Sequence, residues 1–144
     1  MPTRTARVAW TGTLNEGSGK VELSSSQVGT FDVSFPRRTA EDAEGVTSPE
    51  ELIAAAHASC FSMAQSSQIA KAGGTPQALD VSADVTLGRD DSGLAITAIK
   101  LTVRGEVEGL DADGFQQAAQ AAKVGCPVSK ALAAVDITLD AALE

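Results

Sequence analysis

TSPEELIAAAHASCFSMAQSSQIAKAGG, residues 47–74, is the stretch on which the fold turns. Ser48 is a good helix N-cap, Pro49 suits the first helical position, and Glu51 stands three residues after the cap. Gly73-Gly74 supplies the stop. The pattern predicts a helix from Ser48 to Ala72, about 36 Å long. Its interior, LIAAAHASCFSMA, is apolar or small on nearly every face, which predicts burial all round. A chain of 144 residues has little material to enclose such a helix, and a second subunit would supply the rest.

Strand patterns flank this helix. Val8 and Trp10 alternate with smaller neighbours over residues 4–11, as do Val21 and Leu23, and then Phe31, Val33 and Phe35. With the turn chemistry of Asn15-Glu16-Gly17-Ser18-Gly19, they predict an antiparallel meander. Residues 36–47 read as a charged loop. After the helix, Val81, Ala83, Val85 and Leu87 alternate, and Asp90-Asp91-Ser92-Gly93 forms a hairpin turn. Residues 94–108 make the next strand, but its apolar phase slips from the parity of Leu94 and Ile96 to that of Ile99, Leu101 and Val103; a bulge near Ala98 reconciles the two. Asp111 opens a helix through Lys123, Pro127 breaks it, and a short helix follows to about residue 134. Ile137, Leu139, Ala141 and Leu143 alternate as a last strand. The order β-β-β-α-β-β-α-α-β is an α+β plan, expected to form a single domain over residues 1–144.

Apolar residues make up 43% and charged residues 21%, ordinary usage for a globular chain. The net charge of −8, with no basic run, argues against a nucleic-acid partner. The amino terminus lacks the basic-then-apolar pattern of a secretory signal, and the uncharged stretch between Glu51 and Lys71 holds Ser, Gln and His throughout, so neither a leader nor a bilayer span is expected. A cytoplasmic protein with no membrane partner follows as the default, and two cysteines there should be free thiols unless they do redox work.

Cys60 falls mid-helix, and Cys126 lies in Val124-Gly125-Cys126-Pro127-Val128-Ser129. Free cysteines often only fill space in a core. Their separation excludes a CxxC redox pair, and two cysteines with one histidine lack any paired metal spacing, so no metal or other cofactor is expected. Cys126 precedes Pro127, which makes it a helix N-cap residue, where a thiolate is stabilised. Glu51 reads as capping chemistry, whereas Glu50 is freer. Glu50 and Cys60 are ten residues apart, about 15 Å of helix rise, so they cannot share a site within one straight helix. Arg37-Arg38 is an ordinary surface pair or a source of a guanidinium that stabilises a thiolate. His57, one turn before Cys60, is either a satisfied core histidine or a group that polarises the thiol.

Taken together, residues 47–64 (TSPEELIAAAHASCFSMA) and 122–132 (AKVGCPVSKAL), with Ala83-Asp84-Val85-Thr86-Leu87, Ile96-Thr97 and Ile137-Thr138-Leu139-Asp140, resemble the OsmC/Ohr family of organic hydroperoxide resistance proteins, on the OsmC side. The likeness covers nearly the whole chain. It implies an intertwined homodimer in which antiparallel sheets wrap long central helices and both active sites lie at the subunit interface. It implies Cys60 as peroxidatic and Cys126 as resolving cysteine, with Glu50 and an arginine as partners of the Cys60 thiolate. In OsmC-type members that arginine follows a Phe by three positions, and Phe35 plus three is Arg38, so Arg38 is preferred to Arg37. His57, where Ohr-type chains carry an aromatic, favours the OsmC side.

The implied reaction reduces an organic hydroperoxide to an alcohol. The Cys60 thiolate takes the distal oxygen, Cys126 closes a disulfide, and an external dithiol, of lipoyl type or small, resets the pair. Phe35, Phe61 and Met63 are expected as apolar walls that favour alkyl peroxides. Two other readings stand beside this one. The same cysteines would serve a redox sensor or an acyl-thioester-handling domain, or the chain would be a non-catalytic ligand-binding dimer with structural cysteines.

Overall fold

The computed structural model describes all 144 residues, and the chain divides into two compact units, Met1–Leu52 and Ile53–Glu144. In the first unit, β1 (Arg7–Thr11), β2 (Ser18–Glu22) and β3 (Thr30–Val33) form the antiparallel meander that the alternation predicts. The register sets Val8 opposite Val21, Val21 opposite Phe31, and Gly19 between Trp10 and Val33. Opposed residues share a face, so one face of this sheet is apolar, while the other carries the cross-strand pairs Arg7–Glu22 and Lys20–Asp32. A Cβ at Gly19 would come within 3.0 Å of the Trp10 ring and 3.1 Å of Val8 and Val33, so glycine there lets the three side chains close over the strand. Val21 is buried, yet Val8 is 54% exposed, Trp10 43% and Phe31 41%.

Residues 36–47 were expected to be loop throughout; instead the chain makes a short helix, α1 (Phe35–Thr39). The cause is local. Ser34 caps it by accepting the Arg37 amide at 3.3 Å, and Pro36 occupies the first turn. The long helix α2 runs unbroken from Pro49 to Lys71, close to its expected limits. The Ser48 hydroxyl accepts the Glu51 amide at 3.1 Å, and the Thr47 hydroxyl donates to the Glu51 carboxylate.

In the second unit, β4 (Thr75–Asp90) and β5 (Gly93–Glu108) form a long hairpin. Thr86 pairs with Ala98 but Leu87 pairs with Ile96, which leaves Thr97 as the extra residue of a bulge where the apolar phase slips. Helix α3 (Ala112–Gly125) is capped by Asp111, whose carboxylate accepts the Gly114 amide at 2.8 Å. A single residue, Cys126, separates it from α4 (Pro127–Ala131), which ends three residues before the expected limit. The last strand, β6 (Asp136–Leu143), lies parallel to β5, so this sheet, ordered β4-β5-β6, is mixed where antiparallel sheets were expected. The reason is the connection: α3 and α4 form a helical crossover that carries the chain back along the sheet, and a crossover delivers a parallel neighbour.

Leu101 and Val103 of β5 pack with Phe61 and Ile69 of α2 and with Phe115, Ala118, Ala119 and Ala122 of α3. Gly105 makes room for this layer, since a Cβ there would lie 2.6 Å from the Phe115 ring. His57, Phe61, Gln65 and Ile69 recur every fourth residue and are fully buried as one stripe of α2. Ala55, Ala56, Ser59 and Met63 face outward, and Met63 is 72% exposed. Within one chain α2 is therefore buried along a stripe rather than all round, because sheet and α3 supply a layer on one side only. No helix is long and apolar enough to cross a membrane.

Candidate active site

Cys60 sits about three turns into α2 with a half-buried side chain, and Cys126 is fully buried at the α3–α4 junction. Cys126 closes α3 through its amide, 2.8 Å from the Ala122 carbonyl, and opens α4 through its own carbonyl, 3.0 Å from the Lys130 amide. Both cysteines are free, and their Sγ atoms lie 2.8 Å apart although 66 residues separate them.

The pair shares its protons unequally. Burial and the hydrogen bond to Cys126 push the Cys60 thiol up from its ordinary value, against a smaller opposing effect of the Val128 amide. Burial also penalises charge on Cys126, but hydrogen bonds from Cys60, from the Ser129 amide and hydroxyl and from the Val128 amide outweigh it, and Cys126 lies below its ordinary value. The two sulfurs are close enough to hydrogen-bond, and their surroundings favour charge on Cys126 over charge on Cys60.

His57 does not bond to Cys60. Its Nε2 lies 2.7 Å from the Ser129 hydroxyl, with both residues buried, and its Nδ1 has no partner. Burial lowers the His57 pKa and keeps the ring neutral. Ser129 was not singled out in the sequence, although Cys126-Pro127-Val128-Ser129 carried the signal: the third residue of a helix faces back toward its N-cap.

The other two expected site residues form a pair in the first unit. Arg38 donates from Nη2 to Glu50 Oε1 at 2.8 Å and from Nε to the two carboxylate oxygens at 3.1 and 3.2 Å. Glu50 is only 7% exposed, so the guanidinium satisfies a buried carboxylate. Arg37 instead donates to the Asp42 carbonyl at 3.2 Å and pairs with Glu44 at 2.9 Å, both in the loop that follows α1. Phe61, expected as a wall of the peroxide path, is wholly enclosed in the core and presents no surface to a substrate; its place in the stripe of α2 fixes that.

Two free thiols in contact can give up two electrons and two protons to form a disulfide, which is the working chemistry of a redox protein. Comparison with known proteins agrees. The family described as OsmC-like protein matches residues 41–140. Peroxiredoxin OsmC of Escherichia coli (strain K12) is 46% identical over 131 residues, covering 91% of this chain and 90% of that one, and Peroxiredoxin OsmC of Shigella flexneri matches to the same extent. Among solved structures, the organic hydroperoxide resistance protein OhrB of Bacillus subtilis superposes with a TM-score of 0.70 at 28% identity, over 95% of this chain and 97% of that one. The chain belongs to the OsmC-like protein family.

Proposed function

We propose that this protein is a cysteine-based peroxidase that reduces organic hydroperoxides to alcohols, with Cys60 as nucleophile and Cys126 as resolving thiol. The observation that carries the reading is the 2.8 Å approach of the two sulfurs, which lets a sulfenic acid on Cys60 be captured without rearrangement of the chain. The name of the Escherichia coli relative, a peroxiredoxin, supports the reaction, and that of OhrB supports organic hydroperoxides as the substrate class. The Cys60 thiolate attacks the distal peroxide oxygen, the O–O bond breaks, the alkoxide leaves and takes a proton from solvent to become the alcohol, Cys126 displaces hydroxide to form the disulfide, and an external dithiol restores both thiols.

The surroundings of Cys60 within Ile53–Glu144 favour its thiol, so the nucleophilic form calls for a cation. Arg38 of a second copy of the chain is the group assigned here, held by its own Glu50. Glu50 and Cys60 lie ten residues apart on one continuous helix, which separates them by about 15 Å of rise. The open face of α2 around Met63 and the half-covered apolar face carrying Val8, Trp10 and Phe31 support a homodimer, since a lone chain seldom leaves such surfaces in water.

Steady-state turnover decides the matter. With a small or lipoyl dithiol as reductant, the wild type should consume an alkyl hydroperoxide continuously and faster than hydrogen peroxide, and Cys60→Ser should consume none. A single stoichiometric oxidation without turnover would instead identify a sensor, and inert thiols a structural role.

A further inference from the structure

His57 is a costly residue at its position. The stripe that it shares with Phe61 and Ile69 is a core stripe, and an apolar side chain there would bring no polar atom of its own to satisfy. Instead a fully buried imidazole keeps one nitrogen without a partner and spends the other on Ser129. Ser129 is the third residue of α4, whose N-cap is Cys126, so it faces back toward that residue, and its nearness helps to hold the Cys126 thiol below its ordinary value. A hydroxyl has one donor and two acceptor sites, so Ser129 can take a proton from the sulfur as it passes its own to His57.

We propose that Cys126, Ser129 and His57 form a proton relay that activates the resolving thiol, with Ser129 as a catalytic residue of the resolution step and His57 as the positioning residue and proton acceptor behind it. The inference rests on the Cys60–Cys126 reading above and concerns a step after peroxide has reacted. When Cys60, made a thiolate beside the Arg38 guanidinium, has attacked peroxide, Cys126 enters the next step as the thiol. Before Cys126 can attack, that proton must leave. It passes to Ser129 Oγ as the Ser129 proton passes to His57 Nε2, which a neutral ring can accept. The electron pair freed on the Cys126 sulfur forms the bond to Cys60, the S–O bond of the sulfenic acid breaks, and hydroxide departs. Cys126 is oxidised by one electron and Cys60 is reduced by one. Hydroxide takes a proton from solvent and His57 returns one, so the net product is one water per disulfide.

Rapid mixing with one equivalent of an alkyl hydroperoxide separates the steps. Loss of peroxide reports attack by Cys60, and a dimedone trap followed by mass spectrometry reports the lifetime of the sulfenic acid. Ser129→Ala and His57→Gln should both leave the attack rate within about twofold of wild type and slow disulfide formation at least about tenfold. Glutamine can still hydrogen-bond to Ser129 but cannot take its proton, so His57→Gln distinguishes proton acceptance from packing. In a Cys126→Ser background, where resolution is already lost, neither substitution should alter attack or the sulfenic acid lifetime any further. Wild-type resolution in both variants, while Cys126→Ser accumulates sulfenic acid, would overturn the relay and leave the peroxidase reading intact. Equal slowing of attack in both backgrounds would reduce His57 and Ser129 to structural residues and overturn it as well. If Cys126→Ser itself accumulates no sulfenic acid, the resolving assignment has failed and the relay fails with it.

Discussion

Replacing Glu50 by Ala gives the sharpest test of how the site is assembled. Glu50 accepts from two separate nitrogens of Arg38, and its carboxylate is nearly buried. Charge-assisted hydrogen bonds of this kind contribute about 1.5–3 kcal/mol. Arg38 keeps a third of its side chain exposed, so water can replace part of what is lost, and the lower half of that range applies. If the fixed guanidinium acts only when peroxide meets the thiolate, about 1.5–2 kcal/mol corresponds to roughly a 10- to 30-fold fall in kcat/KM. Loosening of Arg38 should reach Cys60 across the subunit boundary, and complementation reads that directly. When Glu50→Ala and Cys60→Ser homodimers exchange subunits, each mixed dimer has one site with both residues intact and one with neither. Random exchange of equal amounts makes about half the dimers mixed, and each regains about half of wild-type activity, so total turnover should climb to about a quarter of wild type. Light scattering or native mass spectrometry fixes the extent of exchange. Demonstrated exchange without recovery would show that each site is built within a single chain, and a monomeric mass at assay concentration would remove the premise.

Two further outcomes are expected. Arg38→Ala should cut peroxide turnover by at least about tenfold, whereas Arg37→Ala, whose bonds reach only the loop after α1, should change it less than about twofold; the reverse ranking in kcat/KM would transfer the role to Arg37. Gly105→Ala should destabilise the fold by about 1–3 kcal/mol, because the new methyl meets the enclosed Phe115 ring and the usual gain from removing a strand glycine is smaller than that overpacking. Thermal unfolding should show a lower Tm, and adding Phe115→Leu should recover part of the loss; an unchanged Tm would mean that the ring can yield.

Much of this frame was legible in the chain. The cap at Ser48, the stop at Gly73-Gly74 and the alternating strands are local signals, and so is the slip of parity that predicts a bulge near Ala98, which the register sets at Thr97. What escaped has physical causes. α1 is too short to show an apolar period, so Ser34 and Pro36 were its only marks. Alternation says that residues 137–143 are a strand but carries no direction, and only the helical crossover makes β6 parallel. The all-round apolar character of α2 pointed to burial without saying that half of it is left open by the chain's own layers. At the site, the spacing of residues within each helix was readable, whereas the meeting of Cys60 with Cys126, and of His57 with Ser129, depends on how α2 and α4 pack, which no local pattern records.

The double anchoring of Cys126 has a consequence for competition with other thiols. Its amide closes one helix and its carbonyl opens the next, so the sulfur is held beside Cys60 by backbone on both sides. A nucleophile fixed in this way acts with an effective molarity that intramolecular reactions raise to about 10⁵–10⁸ M in favourable cases. Free thiols at millimolar concentration cannot match that, and neither can a second molecule of peroxide. The sulfenic acid should therefore partition almost wholly to the disulfide, and sulfinic acid, like mixed disulfides made by small thiols attacking the sulfenic acid, should build up only when Cys126 is lost. On the proposed cycle, oxidant concentration should set how fast the protein turns over and have little influence on where the cycle ends.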